Sequence, residues 1–152
     1  MDAFKYANIL LRYRPRSYKE LVQRLEKKGY RGEEIENTMQ KLGESGLVDD
    51  REFCKFWINY RLNYNPRSRK FLEMELKRKG VDEEIISEVL SQIPDFKERD
   101  IISELVEHRM RSLRGVKDPV VKKRRIYTYL ARRGFSYSQI REAVSQAMRN
   151  GK

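Results

Sequence analysis

Lys122, Arg125, Tyr129, Arg132 and Arg133 fall at i, i+3, i+7, i+10 and i+11, a spacing that projects all five from one side of a helix. Cations in such a stripe neutralise phosphates with release of counterions, and a tyrosine among them offers a stacking face to an unpaired base. Between Arg109 and Arg133 the only acidic residue is Asp118, against Arg109, Arg111, Arg114, Lys117, Lys122, Lys123, Arg124, Arg125, Arg132 and Arg133. This segment therefore carries the strongest local field in the chain. Cations in a helix's last turn also stabilise its negative end, by about 0.3–1 kcal/mol each. That effect accounts as well as ligand binding does for the pairs Lys27-Lys28, Arg78-Lys79 and Arg132-Arg133. It does not account for Lys122, Lys123, Arg124 and Arg125, which open a helix, where positive charge opposes the macrodipole. This cluster is read as a binding surface. A lesser group, Arg12, Arg14, Arg16, Lys19 and Arg24 with Arg61, Arg67, Arg69 and Lys70, flanks inter-helix turns, where binding and ordinary solvated surface are equally open readings.

Catalytic chemistry finds little to work with. His108 is the only histidine and Cys54 the only cysteine, so neither a zinc-ligand spacing nor a Cys-His couple recurs. His108 is expected on a solvated face, and Cys54 as a small buried residue between Phe53 and Phe56. Asp49-Asp50 precedes an apolar-periodic segment, where a cap and first helical residue explain the pair better than a metal site. No Gly-x4-Gly-Lys-Ser/Thr run exists, so any ATP belongs to a partner. No catalytic residue, metal or cofactor is expected.

The elements that carry these side chains come in three copies. Leu21-x3-Leu25-x3-Gly29, Leu72-x3-Leu76-x3-Gly80 and Ile126-x3-Leu130-x3-Gly134 share one pattern. An apolar residue follows each glycine (Tyr30, Val81, Phe135), with isoleucine six on (Ile35, Ile86, Ile140) and another apolar residue ten on (Met39, Leu90, Val144). The i, i+4 spacing before the glycine puts both apolar residues on one helix face, and glycine tolerates the positive φ that ends a helix. Asp82 and Ser136, with Gly32 as a weaker candidate, then restart the chain as N-caps, followed by Glu33-Glu34 and Glu83-Glu84 at the positive helix end. Upstream lies one more amphipathic stretch per copy: Phe4 to Tyr13, Phe53 to Leu62 and Ile101 to Leu113. Phe53, Phe56, Trp57 and Tyr60 recur at core spacing and are read as packing rather than as base-stacking residues. Pro15, Pro66 and Pro119 fall between first and second helices, and Asp118-Pro119 reads as N-cap and N1.

The spacing thus predicts an all-α chain with essentially no sheet, in three tandem three-helix units at 1–48, 49–94 and 95–152. Each unit is marginal alone, so neighbours are expected to complete one another's cores in an elongated, curved array of roughly 75 Å, from units roughly 25 Å across. With 39% hydrophobic and 38% charged residues, core is scarce. The 34 Lys and Arg against 23 Asp and Glu give +11, a long-range potential that attracts polyanions. No stretch approaches the roughly 20 apolar residues of a membrane span, and Met1-Asp2-Ala3-Phe4-Lys5 does not read as a signal peptide. A single cysteine fits a reducing cytoplasm.

Leu47-Val48-Asp49-Asp50-Arg51-Glu52-Phe53, then Arg61, Pro66, Arg69, Leu72, Leu76 and Lys79-Gly80-Val81, closely resembles the central signature of the RecX family of recombination regulators. Ser17-x2-Glu20-Leu21 with Leu25-x3-Gly29-Tyr30 resembles that family's first repeat, and Tyr129-Leu130-Ala131-Arg132-Arg133-Gly134-Phe135 its last, so nearly the whole chain is covered. Specificity lies in three ordered copies with Asp-Asp-x2-Phe between the first two. One departure is Asn65-Pro66-Arg67-Ser68-Arg69, where the family often has a more glycine-rich turn. The resemblance implies a monomeric, cytoplasmic, non-enzymatic regulator that docks along the groove of a RecA recombinase filament on single-stranded or double-stranded DNA. It implies modulation, with inhibition the expected direction, of ATPase, strand exchange and assembly, in homologous recombination, DNA repair and the SOS response. A rival reading is a sequence-specific helix-turn-helix transcription regulator, which would dimerise on a palindrome and discriminate specific from random duplex. A third is a general chromosome-coating or RNA-binding protein that acts on bare nucleic acid.

Overall fold

The computed structural model describes residues 1–92 and 98–150. These form helices α1 (Ala3–Tyr13), α2 (Tyr18–Lys28), α3 (Gly32–Glu44), α4 (Asp50–Asn63), α5 (Arg69–Arg78), α6 (Glu83–Gln92), α7 (Glu98–Ser112), α8 (Pro119–Arg132) and α9 (Tyr137–Asn150), with no strand among the described residues. Among the described residues the chain adopts the predicted all-helical pattern of three helices per copy. The expected boundary between second and third copies, at 94 and 95, lies outside the described residues.

The repeated glycines end helices as their spacing predicts. Gly29, Gly80 and Gly134 have φ of 110°, 83° and 94°. After each, the next amide reaches back to the leucine five residues earlier: Tyr30 to Leu25 at 3.1 Å, Val81 to Leu76 at 3.0 Å and Phe135 to Leu130 at 3.4 Å. That bond satisfies a carbonyl the helix cannot reach and folds the following apolar residue onto the core. Restart signals also appear as expected. The Asp118 carboxylate accepts from the Val120 amide at 3.0 Å, and Ser136 exchanges bonds with Gln139 in a capping box. Asp82 accepts from the Glu84 amide at 3.3 Å, and Asp49 from Arg51 at 2.9 Å. The exception is Gly32: Arg31 is the N-cap of α3, with no side-chain cap bond, and Gly32 is the first helical residue at φ 45°. Glu33 and Glu34 supply negative charge at that end instead.

Two compact units make up the chain: Met1–Tyr60 with Met74–Ile93, and Arg61–Glu73 with Pro94–Lys152. The first holds a core of Ala3, Ala7, Leu10, Leu21, Leu25, Ile35, Met39, Leu42 and Val48. In the second, Ile102, Leu105, Val106, Leu113, Ile126, Leu130, Phe135, Ile140, Ala143 and Val144 pack together from α7, α8 and α9. The apolar repeat positions read from the sequence, including Leu72, Leu76, Val81, Ile86 and Leu90 of the second copy, are buried, except Tyr30, which is half-buried.

Helix ends explain why the units cut the chain differently from the repeat. In the first unit the Ser17 hydroxyl, at the N-cap of α2, donates to the Lys79 carbonyl at 2.7 Å, and Lys19 Nζ donates to the Arg78 carbonyl at 3.3 Å. The positive end of α2 thus meets the negative end of α5. In the second unit the Ser68 amide, at the start of α5, donates to the Arg133 carbonyl at 3.0 Å, past the end of α8. Ser17 and Ser68 are both completely buried. Asn65, in the turn before Ser68, adopts φ 56°, the left-handed conformation asparagine tolerates better than other non-glycine residues. Asn65 thus makes the Asn65-Pro66-Arg67-Ser68-Arg69 turn without a glycine.

Candidate polyanion-binding surface

In the second unit, α8 starts on its Asp118 cap with Pro119 at the first helical position, and its apolar side, Ile126 and Leu130, enters the core. Its other side meets the end of α7. A groove there is lined by Arg109, Arg124, Arg125, Thr128, Tyr129, Arg132 and Arg133. Arg124, Arg125 and Arg132 are exposed, whereas Arg109, Tyr129 and Arg133 are half-buried. The Arg133 guanidinium lies 3.7 Å from the Tyr129 ring centroid and that of Arg109 lies 5.0 Å from it. Arg133 also donates to the Tyr129 carbonyl at 3.2 Å and to Asn65 Oδ1 at 3.3 Å. No carboxylate among the described residues forms an ion pair with any of these five arginines. Lys122 is half-buried and Lys123 exposed, its Nζ 5.7 Å from the Tyr127 ring; neither lines the groove. Sequence alone counts Arg109 in the field of this segment, but only packing of α7 on α8 shows that it faces Tyr129.

The cations of the first unit divide into two kinds. Arg14 and Lys79 converge on Glu20, at 2.6 Å and 3.3 Å, and both lie over the Trp57 ring, at 6.0 Å and 4.4 Å. Burial pushes the Glu20 carboxyl up, but hydrogen bonds from Arg14 and the Ser17 amide, with the charges of Arg14 and Lys79, hold it below its ordinary value. Asp50 accepts from the Tyr18 amide at 2.8 Å. Burial raises its pKa against that bond, with Asp49 and Glu20 adding to the rise. Arg16 is held lower than a free guanidinium, by burial first and then by Arg14. Lys19 packs across Gly80, with its Cβ 2.6 Å from where a glycine Cβ would sit. By contrast Arg12, Arg24, Lys27 and Arg78 are exposed, and Arg24, Lys27 and Lys28 line a shallow groove with Tyr6.

Residues of the α4–α5 turn belong to the second unit. Arg69 Nε bonds Glu73 at 3.3 Å while its amide donates to Glu98 at 3.2 Å; the Arg67 guanidinium lies 5.2 Å from the Phe71 ring. Arg61 is half-buried and Lys70 exposed. Of the aromatics on α4, Phe53 is buried, Phe56 and Trp57 are half-buried and Tyr60 is 45% exposed. The packing reading therefore holds at the start of the helix and thins toward its end. His108 is exposed. Cys54 is buried, its thiol pushed up to about 12 by desolvation and by Asp50. No cluster of three potential metal ligands occurs among the described residues, and no helix there is long and apolar enough to cross a membrane.

Three-helix units repeated in tandem, closed by glycine C-caps and carrying their cations on helix ends and exposed faces, define a helical-repeat protein. Models of the first, second and third three-helix domains of RecX match residues 3–42, 49–90 and 97–144. The chain belongs to the RecX family. Regulatory protein RecX of Mycobacterium sp. (strain KMS) is 36% identical over 147 residues, covering 95% of this chain and 80% of that protein. Its counterpart in Chlorobium phaeobacteroides (strain BS1) is 33% identical over 148 residues, covering 97% and 95%. The crystal structure of RecX from Lactobacillus salivarius shares the fold, with a TM-score of 0.73 at 22% identity over 95% of this chain and 93% of that one. Another crystal structure of regulatory protein RecX gives 0.77 at 20% identity, over 94% and 71%.

Proposed function

We propose that this protein is a non-enzymatic regulator of a RecA-type recombinase, acting as a monomer in the cytoplasm on the filament that the recombinase forms on DNA. Inhibition of ATP hydrolysis, strand exchange and assembly is the direction we assign. Membership of a family whose members are named regulatory proteins supports the role. The observation that carries it to a nucleoprotein partner is the α7–α8 groove, where five arginines face solvent or an aromatic ring and no carboxylate pairs with them among the described residues. Charge left unpaired in the fold is available to a polyanion. The three units, taken as 1–48, 49–94 and 95–152, give several weak contacts that reinforce one another on a polymer by effective concentration.

The test adds the purified protein to recombinase coated on single-stranded DNA and follows ATP hydrolysis and strand exchange. Suppression of both at micromolar protein is expected; no effect there overturns the assignment. In parallel, Arg124→Glu with Arg125→Glu is expected to weaken DNA binding and make its salt dependence shallower, by about 0.7 log units for each single-strand phosphate left unneutralised. Binding that discriminates one duplex sequence from random duplex by roughly 10³ or more points to a transcription regulator instead.

A further inference from the structure

We infer that the α7–α8 groove is a phosphodiester cradle in which Tyr129 is a platform for guanidinium groups and not for bases. The inference rests on the polyanion reading of α8 and adds how the anion is held.

Tyr129 packs against the core of the second unit, and the Arg133 guanidinium lies 3.7 Å from its ring centroid. A ring backed by core on one hand and covered by a guanidinium on the other has little surface left for a base. A guanidinium on an aromatic face keeps its donors in its own plane, directed outward past the ring edge. Arg133 is further fixed by its bonds to the Tyr129 carbonyl and Asn65 Oδ1, and Arg109 by a 3.4 Å bond to the Ser112 hydroxyl. The Nε atoms of both arginines are buried without a hydrogen-bond partner. Part of the cost of desolvating these cations is thus already met by folding, which favours the arriving anion.

Arg124, Arg125, Arg132 and the Thr128 hydroxyl extend the same groove, and no acidic side chain lines it. From Arg125 to Arg132 the helix rises roughly 10.5 Å. A single carboxylate meets one cation of such a row, whereas a nucleic-acid strand, with a phosphate every ~3.4 Å of duplex axis, meets several. Phosphates held in this way leave base identity unread.

The experiment measures binding of the full chain to a fluorescein-labelled oligothymidylate and to an abasic strand of equal length, across a series of salt concentrations. Equal affinity for both strands, within about twofold, is expected. A base stacked on Tyr129 would instead favour the thymidylate by at least about fivefold, and that result overturns the inference. Arg109→Gln is expected to lower the salt slope by about 0.7 on both strands, with Arg109→Lys restoring the slope but not the full affinity, because an ammonium lacks the planar stack. Tyr129→Leu keeps apolar volume against the core and removes the platform, and is expected to weaken both strands alike. An unchanged slope in Arg109→Gln, with helical content intact by circular dichroism, overturns the cradle. If that variant instead loses only its effect on recombinase ATPase, the groove is a protein contact and the regulator assignment stands. If the wild-type chain leaves recombinase unaffected while Arg109→Gln loses slope, the assignment falls and the cradle stands.

Discussion

Replacing Gly134 by alanine separates two costs that share one residue. An L side chain at positive φ costs about 1–2 kcal/mol, and Gly134 sits at φ 94°. A Cβ there would also lie 2.5 Å from Ser68 Oγ and 2.7 Å from Phe71 Cβ, closer than non-bonded atoms approach. Neither neighbour yields readily: Ser68 is completely buried, its hydroxyl accepts from the Phe71 amide at 3.1 Å, and its own amide donates to Arg133. Overpacking of this kind adds about 1–3 kcal/mol, so the total is about 2–5 kcal/mol. Gly29 is the internal control, because it has φ 110° and nothing within 4 Å of an added Cβ. Gly29→Ala should cost the backbone part alone, about 1–2 kcal/mol. Gly80→Ala should fall between them, since its Cβ meets Lys19, whose Cδ at 2.7 Å swings away while its Cβ at 2.6 Å does not. Urea unfolding at constant m-value, followed by circular dichroism, ranks the three. Equal losses in Gly29→Ala and Gly134→Ala would refute the claim that the glycine is needed for close approach as well as for its dihedral.

Glu20→Gln should lower stability at pH 7 by about 1 kcal/mol, between the values of an exposed pair and a well-placed charged hydrogen bond. Because the folded carboxyl is held below its ordinary value, its contribution is complete above the unfolded pKa, about 4.3, and is lost as pH falls through the folded one. The wild-type advantage over the variant in urea midpoint should therefore shrink with acidification below about pH 4.3; a constant difference counts against the ion-pair account. Asp50 shifts the opposite way, and taking the difference between the two proteins removes most of its effect. Cys54, buried with its thiol pushed up to about 12, should resist thiol reagents at pH 8 in the folded protein and react fully in urea. Rapid labelling of the native chain would place it at the surface.

The chain's helices are legible because the repeat encodes both the apolar face and its terminator. Leu25, Leu76 and Leu130 each accept the bond that the following Gly29, Gly80 or Gly134 makes possible. Caps such as Asp118 and Ser136 act through bonds two or three residues long, so local sequence suffices to find them. Arg31 as the cap of α3 escapes a reading by residue type because backbone geometry after Gly29 decides it, not a side chain. Long-range convergence is not legible: Arg14 and Lys79 meet at Glu20, and Arg109 meets Tyr129, across separations that no periodicity spans. Charge alone groups Arg14 and Lys79 with the exposed cations, although their charge is already met by a carboxylate.

The dibasic pairs before the three glycines show how differently the structure places such cations. The cation next to each glycine lies over an aromatic ring: Lys28 over Tyr6 at 5.4 Å, Lys79 over Trp57 at 4.4 Å and Arg133 over Tyr129 at 3.7 Å. The one before it, Lys27, Arg78 or Arg132, is exposed in every copy. The copies differ in how far the pair divides: in the first, Lys28 is itself exposed, and in the third both Arg132 and Arg133 line the α7–α8 groove. Only in the second and third copies is the member next to the glycine, Lys79 or Arg133, half-buried while the one before it is exposed. At Arg133 a ring contact and a place in the groove coincide, so packing at a helix end and a surface charge are not exclusive roles for one cation.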